Sequence, residues 1–404
     1  MKLSVPDNTQ DGSLKMRVAG RMCETGELAT LTIANGKIIS ITPGIEADSL
    51  GGEDVWLSPG FLDVQVNGYA GIDFNLEAWG TSDEVVFDPA LLIERLASSG
   101  TALLCPTITT NSPDLIAAAF RRIVETLESS PEISRAVPGF HLEGPYLSSE
   151  DGPRGAHPKE WIRAPDWNEF QRFQEAAGGR IKICTLAPEV PGAMRFIERL
   201  TEAGVAPALG HSGAEPEIIR EAVRAGARLS THLGNGAKAQ LPRHPNFIWE
   251  QLANDGLYAS VIADGFHLPD AVLKVFTRAK GAEKIILASD AVALGGLPPG
   301  RYAGGRFDVL ESGKIVTSGT PYLAGAGALL DSCIPNMLRA SGMSLAEVIR
   351  SVTSIPAALL GLQASKGKLK IGYDADIALF ELHEHDPLKI RLTIRNGKVV
   401  YSAA

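Results

Sequence analysis

The feature that most constrains this chain is an alternation of element types. Eight short apolar runs rich in β-branched residues, at 61–66, 102–107, 137–142, 181–186, 205–210, 228–232, 258–263 and 284–289, are separated by segments of helical pattern. The runs are continuous rather than alternating, as in parallel strands covered on both faces. The segments between them carry helix punctuation. Asp88-Pro89 offers an N-cap and an N1 proline, with Gly100 as the stop, and Ser112-Pro113 opens the next helix. Pro216 and Pro269 open two more, closed at Gly226 and Gly281, and Ser344 with Glu347 forms a capping-box pattern near the end. Eight strands, most followed by a helix, predict an α/β fold of the (β/α)8 TIM barrel type. A doubly wound open sheet is the other architecture the alternation permits.

The two ends read differently. Residues 15–57 contain LTIANGKIISITPG, and residues 367–404 contain GKLKIGYDADIALF and LTIRNGKVVYS. Asn35-Gly36 and Asn396-Gly397 are the residue pairs that two-residue hairpin turns demand. The expectation is a small β-sandwich domain built from 1–57 plus 367–404, flanking a catalytic barrel at 58–366. A barrel takes about 250 residues, so a chain of 404 holds one with room for that second module.

Composition removes several function classes. Lys and Arg number 38 against 47 Asp and Glu, a net charge of −9, which leaves no basic face for nucleic acid. A few local donors can still hold an anionic small molecule. The four cysteines (Cys23, Cys105, Cys184, Cys333) lie far apart and include no C-x-x-C pair, so they read as free thiols of a reducing cytoplasm rather than a disulfide or zinc framework. The N-terminal segment lacks the apolar core of a signal peptide, and no apolar run approaches the ~20 residues that span a bilayer. A cytoplasmic protein without a membrane partner is expected.

Functional residues of a barrel stand at the C-terminal ends of its strands. Of eight histidines, four (His141, His211, His232, His267) fall at or beside those ends. One Glu and two neutral His can hold a divalent transition metal with a position left open for water, and Glu143, His211 and His232 come from three different strands. Each alone reads more often as a satisfied polar residue; the set at strand ends reverses that balance. Asp290, after the eighth strand, fits a general base beside such an ion, with a helix N-cap as its other reading. His157, in the loop after the third strand, could polarise a carbonyl or decorate the surface.

In chain order the segments SPGFLDVQVNGYAGIDFN, HLEGPYLS, RGAHP, GHSGA, THLGNGA, IADGFHL, ASDAV and YLAGAGALLD resemble the N-acetylglucosamine-6-phosphate deacetylases of the amidohydrolase superfamily. The likeness runs from about Pro59 to Asp376. It implies a metal-dependent barrel with a small β-sandwich, metal ligation by Glu143, His211 and His232, and Asp290 as catalytic acid/base. It also implies substrate contacts from Ala156, His157, Asn235, Gly236, Arg243, His267, Leu323, Ala324 and Gly325. Arg243 lies eleven residues after His232, the family spacing of an arginine that reaches the sugar phosphate from the neighbouring subunit of a homodimer.

Four departures bear on these expectations. Many amidohydrolases carry H-x-H on the first strand, where this chain has Gln65-Val66-Asn67. Glutamine is a poor ligand for a second transition metal, so one divalent ion per chain is expected: zinc, with iron, cobalt or manganese accepted by the same donors. No lysine stands at the end of the fourth strand to form a carbamate bridge. The family's Asn-Ala-Met after the strand-6 histidine is replaced by Asn235-Gly236-Ala237-Lys238, and residues 301–322 are unusual in detail. The expected reaction is hydrolysis of the N-acetyl amide of an amino-sugar 6-phosphate. An amidohydrolase acting on an N-acyl amino acid, a cyclic amide or another N-acetyl hexosamine is the alternative, and a non-catalytic barrel scaffold the minor one.

Overall fold

The structure is a computed structural model that describes residues 15–77, 85–320, 322–384 and 386–403. Eight parallel strands form its centre: β1 (Phe61–Val66), β2 (Thr101–Thr109), β3 (Phe140–Glu143), β4 (Ile181–Leu186), β5 (Ala206–Leu209), β6 (Leu229–Ser230), β7 (Tyr258–Val261) and β8 (Ile285–Leu287). Each pairs with the next in chain order, which selects the barrel over the doubly wound sheet. All six residues of β1 are buried, the polar Asp63 and Gln65 included.

The helix signals hold with one adjustment. Asp88 and Ser112 accept hydrogen bonds from Leu91 and Leu115 at the heads of helices Pro89–Leu96 and Pro113–Ser129. Ser344 and Glu347 complete a reciprocal capping box. Gly226 closes its helix with φ of 118°. Pro269, expected inside its helix, is the N-cap of Asp270–Lys280.

The barrel seam between β8 and β1 is closed by side chains and by residues just past the strands. Asp290 N–H donates to the Gln65 carbonyl at 2.9 Å. Asp63 Oδ1 accepts from the Ser289 and Gln65 amides, each at 3.2 Å, and Ser289 Oγ donates to the Gln65 carbonyl. Asp63 thus does the work of a ladder bond immediately beneath Gln65 and Asp290.

The terminal β segments form one seven-stranded sheet. Strands from the N-terminal part (Met16–Met22, Leu28–Ala34, Lys37–Pro43, Leu50–Pro59) join Ile377–Glu381, Lys389–Arg395 and Lys398–Ser402. The sheet curls around Leu31, Ile33, Ile38, Leu57, Ile377 and Ile394. Both Asn-Gly pairs adopt the left-handed conformation of tight hairpin turns. The two turns meet: a Cβ on Gly397 would lie 2.9 Å from Gly36 Cα. Arg395 Nε donates to the Ala102 carbonyl and Thr393 Oγ1 to that of Ala97, docking this sheet on the start of β2.

After β8 a small sheet of Gly300–Tyr302, Phe307–Val309 and Ile315–Thr317 precedes helix Leu330–Ser341. Three-residue strands are too short to show a period, so this element was not legible. It is bound to residues 322–324 through Thr317 N–H to the Tyr322 carbonyl and Ala324 N–H to the Ile315 carbonyl. No helix among the described residues is long and apolar enough to cross a membrane.

Replacing Asp63 by alanine leaves two buried amide donors without an acceptor. The expected loss is roughly 2–6 kcal/mol of unfolding free energy, at about 1–3 kcal/mol per orphaned buried donor. Asp63→Asn retains Oδ1 and should lose much less. Denaturant unfolding of both variants checks this; equal stability of Asp63→Ala and wild type would show that the seam does not depend on Asp63.

Candidate active site

The C-terminal ends of the strands open into a cavity of about 440 Å³. Glu143 ends β3 and sends its carboxylate inward. His211 and His232 follow β5 and β6, and Asp290 follows β8. These last three residues all have positive φ, at 52°, 30° and 49°. Left-handed backbone is uncommon outside glycine and is tolerated where neighbouring structure over-determines it. Here it turns each side chain off its strand and over the barrel mouth.

Four atoms converge. Glu143 Oε1 lies 3.1 Å from His211 Nε2 and 3.0 Å from His232 Nε2. His211 Nε2 is also 3.0 Å from His232 Nε2 and 3.1 Å from His157 Nε2. The tautomer of His211 is decided by its other nitrogen, which lies 2.9 Å from the Pro153 carbonyl. A carbonyl only accepts, so Nδ1 carries a proton, and when the ring is neutral Nε2 turns a lone pair toward the Glu143 carboxylate. Two acceptors facing each other in a buried site require a positive charge between them. Tetrahedral nitrogen ligands at about 2.0–2.1 Å from an ion stand about 3.3 Å apart, close to the spacing seen. Glu143, His157 and His211 meet the geometric requirement for a metal-holding group, and His232 stands within contact of two of them.

The cluster is held from outside. Glycines at 155 and 236 press on the His211 ring; a Cβ at Gly236 would lie 2.8 Å from its Nδ1. Glu189 accepts from Ser212 Oγ and Gly213 N–H, each at 2.7 Å, fixing the turn that carries His211. His157 Nδ1 bonds Thr110 Oγ1 at 2.8 Å. Gln65 donates from Nε2 to both Glu143 Oε1 and Asp290 Oδ1 at 3.0 Å, and Asn67 Nδ2 donates to Asp290 Oδ1 at 2.9 Å.

Electrostatics separates the two carboxylates. Burial opposes ionisation of Glu143, but hydrogen bonds and charge from His211 and His232 hold it well below the usual carboxylate range. Burial, and then the charge of Glu143, pushes Asp290 up to about 6. Burial alone would lower His232, yet Glu143 and Asp290 outweigh it and hold it above the ordinary histidine value. His157 is pushed down to about 3, chiefly by burial, and so is neutral.

Of the sequence-predicted residues, Glu143, Ala156, His157, His211, His232, Asn235, Gly236, His267, Asp290, Leu323, Ala324 and Gly325 all line the one cavity. His267 is oriented by Asp264, whose Oδ2 lies 2.8 Å from its Nδ1. Arg243 does not line it and is exposed in its loop. His141 is a satisfied barrel-interior histidine, with Nδ1 toward the Val64 carbonyl and Nε2 on Thr185 Oγ1. Sequence reasoning missed Asn67, Thr110, Arg306 and Phe307 as lining residues, and missed the bridging role of Gln65. Only Gln65 and Asn67 carried a signal, by standing where a metal-binding H-x-H would be.

The sequence profile described as "Amidohydrolase family" matches residues 56–400. The chain belongs to the amidohydrolase family. It is similar to an N-acetylglucosamine-6-phosphate deacetylase of Rattus norvegicus, 35% identical over 86% of this chain and 84% of the relative. A Lysinibacillus sphaericus protein of that name is 34% identical over 90% and 91%. Among solved structures, an N-acetyl-D-glucosamine-6-phosphate deacetylase mutant from Mycobacterium smegmatis, in complex with N-acetyl-D-glucosamine-6-phosphate, superposes with a TM-score of 0.83 at 27% identity, covering 96% of this chain and all of that one. The Thermotoga maritima deacetylase superposes with a TM-score of 0.81 at 25% identity, with the same coverage. As an amidohydrolase, the protein is an enzyme whose barrel carries a buried Glu/His set that could hold a metal ion.

Cation binding at this cluster competes with protons on His232 and Asp290. Divalent metal affinity of this amidohydrolase should therefore rise by roughly tenfold or more between about pH 5.5 and about pH 7.5, with proton release. Calorimetric titration of the metal-stripped protein in buffers of different ionisation enthalpy reads both quantities. A flat affinity would remove His232 from the ligand set.

Proposed function

We propose that this amidohydrolase removes the acetyl group of N-acetylglucosamine 6-phosphate, giving glucosamine 6-phosphate and acetate, with one divalent ion per chain, zinc by preference. The observation that carries the reading is the Glu143 carboxylate set against the bare Nε2 of His211, a donor set that asks for a cation, with a second carboxylate, Asp290, close by. The names of the relatives supply the substrate. Glu143, His211 and His232 would hold the ion, which would supply Lewis-acid chemistry at the amide carbonyl and the attacking water.

The chain's own residues supply the remaining steps. Asp290, raised to about 6, is ionised at neutral pH yet basic enough to accept a proton from the attacking water. The same carboxyl then returns that proton to the departing nitrogen, which could not leave as an amide anion. His157 is neutral, so it would stabilise the developing oxyanion by hydrogen bonding rather than by charge. His267, with Nδ1 committed to Asp264, keeps Nε2 for the sugar phosphate, and Asn235 and Gly236 line the same cavity. Arg243, exposed in its own chain, suits a phosphate contact made across a homodimer interface.

Asp290→Asn keeps the size and removes the base. Turnover should fall at least ~10²-fold, the scale of general acid–base catalysis, with about one ion per chain retained by elemental analysis. Near-normal turnover with the ion bound would move the proton transfer elsewhere.

Arg243→Ala should lower kcat/KM for the phosphorylated sugar roughly 10- to 150-fold, the scale of a lost charge-assisted hydrogen bond. Unphosphorylated N-acetylglucosamine should be turned over as before. Mixed dimers of Asp290→Asn and Arg243→Ala chains should regain activity. An equal loss on both sugars would make Arg243 structural, and an inactive verified mixed dimer would confine each site to one chain.

A further inference from the structure

The small sheet after β8 reaches the cavity with Arg306 and Phe307, and neither residue has a part in the reading above. Among the described residues, Arg306 is the only lysine or arginine that lines the cavity. Among the described residues its one side-chain hydrogen bond runs from Nε to the Ala303 carbonyl at 3.2 Å, and no carboxylate stands within ion-pair distance of it. Neither terminal guanidinium nitrogen has a partner among the described residues. In this Arg306 differs from Arg154, Arg163, Arg220 and Arg350, each of which is ion-paired.

The backbone fixes where this cation stands. Ala303, Gly304 and Gly305 take φ of 52°, 67° and 87° in succession, a reversal that few sequences adopt. Immediately after it, the Arg306 carbonyl accepts from Ser318 N–H at 2.9 Å, which ties the residue to the far strand of the small sheet. The hairpin is thus held by main-chain bonds, and the guanidinium is not needed to close it. Its carbon lies 5.4 Å from the centroid of the Phe307 ring, itself a lining residue, which gives the cation an apolar backing beside the cavity.

We infer that Arg306 is a specificity-determining residue, the cation that the chain itself offers to the acidic group of its substrate. This rests on the proposed deacetylation of a sugar phosphate, in which the acidic group is the phosphate. A guanidinium suits that task because its fork matches two phosphate oxygens. On this assignment the phosphate is held from within one subunit by Arg306, independently of any contact from Arg243 of a second copy. The selectivity of the enzyme then depends on the segment between β8 and helix Leu330–Ser341 as well as on the strand ends.

The test is calorimetric binding of glucosamine 6-phosphate and glucosamine to the metal-loaded enzyme, for wild type, Arg306→Ala and Arg306→Lys, beside acetate release from the two N-acetyl sugars. Wild type should prefer the phosphorylated ligand. Arg306→Ala should reduce that preference roughly 10- to 100-fold, through the phosphorylated ligand alone, and raise KM more than it lowers kcat. Arg306→Lys should restore part of it. An unchanged preference in Arg306→Ala, an equal loss on both ligands, or a wild type without preference would each overturn the assignment. Failure of the deacetylation reading is seen separately, as the absence of acetate release by metal-loaded wild type from either sugar.

Discussion

The site is organised around one electrostatic problem. Glu143 Oε1 and the Nε2 of a neutral His211 are both acceptors, buried and 3.1 Å apart, because the Pro153 carbonyl holds the neutral ring's proton on Nδ1. At low local dielectric such a pair is tolerated only with a positive charge between its members. A proton on His232 answers the need in part, and a divalent ion answers it fully. Much of what surrounds the cluster serves to keep this arrangement from relaxing. Glycines at 155 and 236 leave the imidazole no room to turn, and Glu189 holds the turn beneath it.

Holding the problem in place falls to the ends of the strands. His211, His232 and Asp290 each sit in left-handed backbone, at about 1–3 kcal/mol apiece for a residue other than glycine. Hydrogen bonds made at those same turns offset that cost. His232 N–H donates to Ser260 Oγ at 2.8 Å, and Asp290 N–H to the Gln65 carbonyl at 2.9 Å. The second of these bonds also closes the barrel, so the position of Asp290 and the integrity of the β8–β1 seam are one structural fact, with Asp63 beneath both.

This explains what could be read from the sequence and what could not. The barrel was legible because both of its signals are local: unbroken apolar runs for buried strands, and caps such as Ser112 and Ser344 for the helices between them. The terminal sheet was legible from its two Asn-Gly turns. The wall residues at 156–157, 235–236 and 323–325 came from resemblance, and the fold brings them to one cavity. The contact between the two Asn-Gly turns was hidden, because it joins residues 361 positions apart. Arg306 was hidden for a different reason. It follows three residues of left-handed backbone in a sheet of three-residue strands, where neither period nor propensity carries information. His141 shows the converse. Its place at a strand end matched that of the other three histidines, but its partners Val64 and Thr185 lie inside the barrel.

Gln65 ties these levels together. A histidine at this position would offer a lone pair to the cluster and invite a second ion; the glutamine amide instead points donors at it. Its Nε2 reaches Glu143 and Asp290 at the same 3.0 Å, so a neutral group spans two carboxylates that would otherwise repel across the cavity floor. The two acids then diverge. Glu143, on the histidine side, stays ionised far below the usual range, while Asp290, on the amide side, is pushed up to about 6. Two titratable groups whose surroundings drive them apart are the usual mark of a division into charge-holder and proton-carrier. In this chain the division follows from what each carboxylate meets: two imidazoles outweigh the burial of Glu143, whereas burial and the Glu143 charge raise Asp290 and the Asn67 amide offsets them only in part.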